Sequence, residues 1–200
     1  MRWRRYAAGA LLAGIVLFWL ITLPPTMPTH AMVVKGLTPS ESWLYDRNGE
    51  LIDSIRVDFH TRRLAWVPLD KVAPSVAATI ISAEDKRFRD HGGVDWLAVG
   101  SAVRARFDGS RSRGASTLSM QVAAFLAPDL APRGSRSWRD KLGQMRAALA
   151  LEGIWSKDEI LEAYLNLAGF RGETEGIGAA ALGLFGKTPE ALTPEDAVLI

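Results

Sequence analysis

The sequence predicts a mainly α-helical fold with a small β-hairpin element and an N-terminal transmembrane helix. Residues 7–23 contain no charged side chain, which predicts the apolar helix. Asn48-Gly49 stands between two short apolar segments, which predicts the hairpin. Beyond Pro74, residues that start helices precede apolar residues spaced three and four apart, which predicts a helical domain. A chain of 200 residues suffices for one domain with a core and a small appendage.

The N-terminal segment has the pattern of a membrane anchor. Arginines at positions 2, 4 and 5 precede residues 7–23, and Pro24-Pro25 ends the apolar run. A helix over this run spans about 25 Å, enough to cross a bilayer core with help from flanking residues. The arginines favour the cytoplasmic side, so we expect the rest of the chain on the outer side. A cleaved signal peptide, with Thr29-His30-Ala31 as its cleavage site, is the alternative, and the length of the run favours the anchor.

The domain boundaries follow from these patterns. We expect a cytoplasmic tip and anchor over residues 1–30, a linker and small β element over 31–70, and the helical domain over 71–200. A helix start at residues 193–195 is followed by the apolar residues 197–200, which stop without a cap. We therefore expect the helical domain to be incomplete at its C-terminal end and the sequence to be part of a longer protein.

The helices of the main domain are predicted from their caps and their apolar spacing. They are a helix over the Ala-rich residues 74–84; a helix capped by Asp95 with Trp96, Val99 and Val103 on one stripe; a helix capped by Ser137 with Trp138, Leu142, Met145 and Leu149 on one stripe; and a helix opened by the capping box of Ser156 and Glu159.

The composition excludes several kinds of chemistry. The chain has no cysteine, so it has neither disulfides nor a Cys nucleophile. Its three histidines, His30, His60 and His91, are far apart in sequence, which argues against a metal site built on imidazoles. A net charge of +2 does not fit a general polyanion binder, and we expect no nucleic acid partner for an exported domain.

The strongest chemical candidate lies at residues 82–93. Glu84 and Asp85 close an apolar helix, and His91 and Gly93 follow in a turn. A Glu at the mouth of such a helix can act as a general base, because local burial tunes its proton affinity. From the residues alone, a solvated helix end rich in charge is the alternative.

A second candidate is the loop at residues 113–121, where small residues and hydroxyls can present hydrogen-bond donors to an anion. An ordinary flexible loop that ends in a helix cap is the alternative. Basic clusters surround it: residues 104–113 hold four arginines against one Asp, a balance of +3, and residues 133–146 hold five basic residues against one Asp, a balance of +4. They favour a phosphate-bearing ligand or anionic lipid head groups over two solvated helix faces.

These motifs resemble the signatures of the family 51 glycosyltransferases, which form the transglycosylase domain of class A penicillin-binding proteins and the monofunctional peptidoglycan glycosyltransferases. Residues 84–93 resemble the first signature, EDxxFxxHxG, and residues 114–121 resemble the second, GxSTxxQQ. Residues 156–166 resemble the fourth, SKxxILExYLN, and residues 176–187 the fifth. The order and spacing of the signatures over residues 43–200 make an accidental match implausible.

The chain departs from the family pattern at two signatures. Where the family has RKxxE, residues 140–144 are Asp-Lys-Leu-Gly-Gln, so Gln144 replaces the second glutamate. In the second signature Met120 replaces the first Gln, and Ala124-Phe125 replaces a Lys-Asn pair. Both departures are similar to the penicillin-binding protein 1C subgroup, and they put the efficiency of the reaction in doubt more than its identity.

The resemblance implies a lysozyme-like helical fold and an inverting transferase that polymerises lipid II into glycan strands and releases undecaprenyl diphosphate. It implies a single-pass protein of the inner membrane with its catalytic domain on the periplasmic side, whose partners are lipid II, the growing glycan strand, the membrane and other cell-wall synthesis proteins. It implies no metal held by the protein, with Mg²⁺ at the pyrophosphate as an optional cofactor. Its expected catalytic residues are Glu84 and Gln144, and its expected substrate-binding residues are Asp85, Ser116, Thr117, Gln121, Arg136 and Lys141.

Two other functions stay open at this point. A peptidoglycan hydrolase could use one Glu of a lysozyme-like core to protonate a glycosidic oxygen, although it has little need of the basic, hydroxyl-rich second site. A catalytically weak, membrane-anchored scaffold of the cell-wall synthesis machinery is suggested by Gln144 and by the departures at Met120 and Ala124.

Overall fold

The computed structural model describes residues 6, 9, 11–14, 26–108, 114–127 and 138–200. The predicted anchor at residues 7–23 lies largely outside these residues, as do Ser137 and four basic residues of the two clusters, Arg111, Arg113, Arg133 and Arg136. Over the part of the chain that is described, no helix combines the length and the apolar character needed to cross a bilayer.

The described part of the chain is mainly helical, as predicted. In chain order its elements are α1 (His30–Gly36), β1 (Glu41–Tyr45), β2 (Leu51–Arg56), β3 (Arg62–Arg63), α2 (Pro74–Glu84), α3 (Trp96–Phe107), α4 (Leu118–Leu126), α5 (Trp138–Glu152), α6 (Lys157–Leu167), β4 (Thr174–Glu175), α7 (Ile177–Phe185) and α8 (Pro194–Leu199), with short 3₁₀ turns at Leu69–Lys71, Phe88–Asp90 and Pro189–Ala191.

The predicted hairpin is confirmed. Strands β1 and β2 pair in antiparallel register, with Trp43 opposite Ser54. The turn is longer than the two residues expected: Asp46 pairs with Glu50, and Gly49 takes the left-handed conformation with φ of 83°. The Asp46 carboxylate accepts the N–H groups of Asn48 and Glu50, which closes the turn.

The segment that leads from the N-terminus is fastened to the helical domain. Helix α1 starts at the Thr29 cap. The Trp155 indole N–H donates to the Pro28 carbonyl at 3.0 Å, and the His30 ring lies edge-on to Trp66 and Trp155. His30 Nε2 is also 3.2 Å from the carboxylate of Glu162. These contacts fix residues 28–30 against α6 and the residues around it.

Helix α6 lies at the centre of the core, with Ile160, Leu161 and Leu165 fully buried. Its capping box of Ser156 and Glu159 forms as predicted. It packs against α4, which in turn packs against α5, while α2 packs against α8. The elements that carry the candidate site residues therefore meet around one apolar core.

The polar residues of the fourth signature hold the segment between β3 and α2. Glu162 accepts hydrogen bonds from the Trp66 indole and the Leu69 N–H, each at 2.7 Å. Asn166 is buried and exchanges hydrogen bonds with both backbone groups of Val67. These contacts are structural and give this part of the signature a role in the fold.

Two predicted apolar stripes are not the buried faces of their helices. The Asp95 cap of α3 is confirmed, but Trp96 and Val103 on its stripe are exposed. On α5 Leu149 is exposed, whereas Gln144 is buried on the face of Ala147, Ala148 and Leu151. The α5 expectation was wrong because small Ala side chains, which periodicity weights weakly, let this helix approach its neighbours closely.

Candidate active site

The candidate base Glu84 is the last residue of α2, where its side chain is exposed at the edge of a cleft. The helix ends there because Asp85 leaves the helical conformation. The Gln121 amide of α4 donates a hydrogen bond of 2.9 Å to Glu84 Oε2. The structure thus brings together two predicted site residues that are 37 positions apart in sequence.

Asp85 is buried, with only 6% of the residue exposed. Its carboxylate lies 3.0 Å from His91 Nε2 and accepts the backbone N–H of Leu118 at 3.0 Å. Leu118 is the first residue of α4, so Asp85 joins the turn after α2 to the start of α4. Its predicted contact with substrate stays a prediction, and the contacts seen here position the loop.

Thr117 caps α4 and lies beneath the loop. Its hydroxyl donates to the Gly93 carbonyl at 2.6 Å and accepts the Met120 N–H at 3.2 Å. This buried hydroxyl therefore joins the turn after α2 to the start of α4. Its predicted role as a donor to substrate is not tested by these contacts.

Gly93 fits where a larger residue would not. Its φ is 93°, and a Cβ built on it would lie 2.7 Å from the carbonyl oxygen of Ala148. The turn after α2 therefore rests directly on the α5 backbone. This contact and the hydrogen bond from Thr117 hold the turn, α4 and α5 in one arrangement.

Lys141 reaches the cleft through Ser116. Its ammonium donates to the Ser116 hydroxyl at 2.5 Å, which brings a positive charge next to a residue that lines the cleft. Gln144 is buried, with 7% of the residue exposed, and is not among the described residues that line the cleft. Arg136, the remaining predicted substrate-binding residue, lies outside the described residues.

The cleft has a volume of about 620 Å³ and runs between the end of α2 and the start of α4. The described residues that line it include Glu84, Asp85, Lys86, Arg87, Asp95, Ser116, Thr117 and Gln121.

Sequence reasoning missed the Arg87–Asp95 ion pair that lines this cleft. Arg87 Nε donates to Asp95 at 2.9 Å, and a second nitrogen of the guanidinium also donates to this carboxylate. Burial raises the pKa of Asp95, but the hydrogen bonds from Arg87 and Ala98 lower it by more than burial raises it. The pKa of Asp95 therefore lies below its ordinary value. The sequence predicted Asp95 as a helix cap, but it did not predict that Asp95 pairs with Arg87 of the first signature.

Tyr164 of α6 lies within the electrostatic influence of Glu84. Burial, and then the negative charge of Glu84, raise the pKa of the Tyr164 hydroxyl to about 12. Its ring lies beside Phe125, with a centroid distance of 6.2 Å, one helical turn from Gln121. The phenol therefore stays neutral and does not compete with Glu84 as a base.

The described residues do not fit a protein-held divalent cation. They contain no group of three or more His, Asp or Glu side chains that could hold a metal ion. Asp85 is engaged by His91 and Leu118, and Gln144 offers a neutral amide where the family has a carboxylate. No step of the reaction proposed below passes through a metal ion.

An exposed carboxylate that shares a cleft with a hydroxyl group, beside which an ammonium group lies, suits a group transfer in which a base takes up a proton and the leaving group is anionic. The chain belongs to the transglycosylase family: the family model described as Transglycosylase matches residues 48–200. The resemblance found in the sequence is thereby confirmed.

Relatives with this family's names cover most of the chain. The biosynthetic peptidoglycan transglycosylase of Rhodospirillum centenum is 43% identical over 137 residues, which are 68% of this chain and 57% of the relative. The protein of the same name from Mannheimia succiniciproducens is 36% identical over 157 residues, 78% of this chain and 63% of the relative. Penicillin-binding protein 1A of Escherichia coli is 36% identical over 181 residues, 89% of this chain and 20% of that protein. The chain thus spans less than two thirds of the length of these relatives.

Proposed function

We propose that the chain polymerises lipid II into the glycan strands of peptidoglycan and releases undecaprenyl diphosphate. The observation that carries this proposal is the cleft lined by Glu84 and Ser116, where the Ser116 hydroxyl accepts a hydrogen bond from the Lys141 ammonium. The names of the relatives, peptidoglycan transglycosylases and a penicillin-binding protein, give the substrate class.

The reaction forms one glycosidic bond and breaks one bond to a diphosphate. The 4-hydroxyl oxygen of the acceptor sugar attacks the anomeric carbon of the donor, and Glu84 takes up the proton of that hydroxyl. The bond between the anomeric carbon and the diphosphate oxygen breaks with its electron pair, so the configuration inverts. General-base catalysis of this kind is worth about 10²–10⁴ in rate.

The leaving diphosphate is a stable anion and needs positive charge more than a proton. Lys141 and Lys86 supply ammonium groups at the cleft, and Ser116 supplies a hydroxyl. Such donors are most effective where negative charge grows in the transition state. Arg136 and the basic clusters predicted from the sequence would extend this positive surface along the lipid-linked substrate.

The location at the membrane is part of the same proposal. The apolar residues 7–23 and the arginines before them support a single-pass inner-membrane protein with the cleft on the periplasmic side. The exposed apolar side chains of α3, Trp96, Leu97 and Val103, support contact of this helix with the lipid surface. We also propose a lysozyme-like arrangement of the helices and membership of the 1C subgroup, the latter from Gln144 and Met120.

Glu84→Gln tests the proposed function. We expect the variant to stay folded, because the side chain is exposed, and to lose at least about 10²-fold in the rate of lipid II polymerisation. The assay measures glycan strands formed from purified lipid II. The matched control is Glu50→Gln, an exposed change in the hairpin turn that should retain the full rate.

The same preparation separates the alternatives. Full polymerisation by Glu84→Gln would remove Glu84 as the base. Release of fragments from finished sacculi, with no strands formed from lipid II, would instead support the hydrolase. Absence of both activities in a folded wild-type protein would support the scaffold, the alternative suggested by the departures at Gln144, Met120 and Ala124.

A further inference from the structure

A buried cluster of polar groups lies behind the cleft and is separate from its lining. The Lys157 ammonium donates to Glu152 Oε1 and to the His91 carbonyl, each at 2.6 Å. The Ser119 hydroxyl donates to the same Glu152 oxygen at 2.5 Å. The side chains of Lys157 and Glu152 are only 19% and 10% exposed. We call these four groups the Lys157 cluster.

The Lys157 cluster joins four separate parts of the chain. Lys157 is the first residue of α6, Glu152 the last of α5, Ser119 belongs to α4, and His91 belongs to the turn that follows Glu84. The Lys157 ammonium also lies 4.5 Å from the ring centroid of the fully buried Phe88 in that turn, a cation–π contact. One ammonium thus contacts the element that carries the candidate base and, through Glu152 and Ser119, the helix that carries Gln121.

The turn and α4 are also joined on the side towards the cleft. His91 contacts Asp85, and Asp85 accepts the N–H of Leu118 at the start of α4. Lys157 donates a hydrogen bond to the backbone carbonyl of His91. The same histidine contacts Asp85 through its ring. A shift of Lys157 would therefore change the distance between Glu84 and the loop that carries Ser116.

We infer that Lys157 is a positioning residue for the transfer reaction: without touching substrate, its ammonium sets the turn of Glu84 against α4. The inference rests on the proposed function. It gives a role to the Lys of the fourth signature, which neither the base nor the diphosphate site uses. Misplacement of reacting groups by about 1 Å can cost on the order of 10² in rate, so a contact outside the cleft can control turnover.

Lys157→Met tests the inference by removing the charge at similar volume. We expect kcat for lipid II polymerisation to fall about 10- to 100-fold with KM within about twofold, at a temperature where the variant is folded by circular dichroism. Lys157→Arg keeps a cation and should recover most of the rate. Lys71→Met, an exposed lysine on the 3₁₀ turn before α2, is the matched control and should behave as wild type. Full activity of Lys157→Met would overturn the inference.

A second variant separates positioning from stability. Lys157→Met alone leaves the Glu152 carboxylate buried without its cation, which destabilises the fold. Glu152→Gln with Lys157→Met removes both charges and keeps an acceptor for Ser119, so its melting temperature should return close to wild type while kcat stays low. Recovery of both stability and kcat would overturn the inference, and so would failure of the double variant to fold.

A readout that needs no turnover keeps this inference apart from the proposed function. In Lys157→Met we expect faster amide hydrogen exchange in the peptide over residues 114–121, because the start of α4 loses its support. Unchanged exchange there would overturn the positioning role even if the wild-type protein does not polymerise lipid II. A wild-type protein that lacks the activity while showing the faster exchange in the variant would refute the proposed function alone.

Discussion

At the scale of single residues, the candidate base is oriented by a neighbour whose expected role was different. The resemblance to the second signature implied a substrate-binding role for Gln121. In the structure its amide donates to Glu84 Oε2 at 2.9 Å. A donor on one carboxylate oxygen leaves the other oxygen to face an incoming hydroxyl, which is the arrangement a general base needs.

Gln121→Leu should lower kcat for lipid II polymerisation about tenfold, because Glu84 loses the hydrogen bond that orients it. Steady-state kinetics on purified lipid II measure the change. If Gln121 acts through Glu84, the same substitution in the Glu84→Gln background should cause almost no further loss. Equal losses in the two backgrounds would show that Gln121 acts on the substrate directly, as the sequence had suggested.

At the scale of elements, the turn after α2 depends on close contact with the α5 backbone. Gly93→Ala should destabilise the protein by about 1–3 kcal/mol, because the new methyl would lie 2.7 Å from the Ala148 carbonyl at a positive φ. Chemical denaturation measures the free energy of unfolding. Gly92→Ala is the matched control, since a Cβ there meets nothing within 4 Å, and it should leave stability within about 0.5 kcal/mol. Equal effects of the two substitutions would contradict the proposed contact.

Helices and strands with local start signals could be predicted from the sequence. Which face of a helix is buried could not. The hairpin, the Asp95 cap and the capping box of α6 follow from side chains that bond to their own or nearby backbone. The buried face of α5 depends on which helix packs against it. Leu149, expected on the buried stripe, is exposed, and Gln144 is buried. Periodicity shows that a helix is amphipathic, but distant neighbours decide which stripe is covered.

The candidate site was also predictable only in part: the sequence identified its residues but not the contacts between them. Signature spacing identified Glu84, Ser116 and Lys141, and the structure places all three around one cleft or its edge. The contacts that hold this cleft together, such as the Leu118 N–H on Asp85 and Lys157 on the His91 carbonyl, join residues 33 and 66 positions apart. No local pattern encodes such pairs, so only the folded chain reveals them.

At the scale of the whole molecule, the Arg87–Asp95 pair should contribute to acid sensitivity. The pKa of Asp95 is lowered in the folded state, so its stabilising contribution is complete above the unfolded value of about 3.9 and is lost as pH falls through the lowered folded value. Asp95→Asn should cost roughly 0.5–1 kcal/mol near neutral pH, because Arg87 is partly exposed. Asn also caps helices well, so the substitution isolates the ion pair.

Denaturation midpoints of wild type and Asp95→Asn, measured from neutral pH down to about pH 3, check this expectation. The two curves should converge as the pH falls. Asp108→Asn is the control, because this exposed carboxylate at the end of α3 pairs with the exposed Arg104 of the same helix and its loss should change stability little at any pH. A gap between wild type and Asp95→Asn that widened in acid would contradict the assigned direction of the Asp95 pKa.

The attachment of residues 28–30 to the domain has a mechanical consequence. The Pro28 carbonyl and the His30 ring are held by Trp155 and Glu162, which lie just before and within α6. A pulling force applied at residue 27 would therefore reach α6 directly, through Trp155 and Glu162. Residues 28–30 form a fixed attachment to the domain, which differs from a flexible linker.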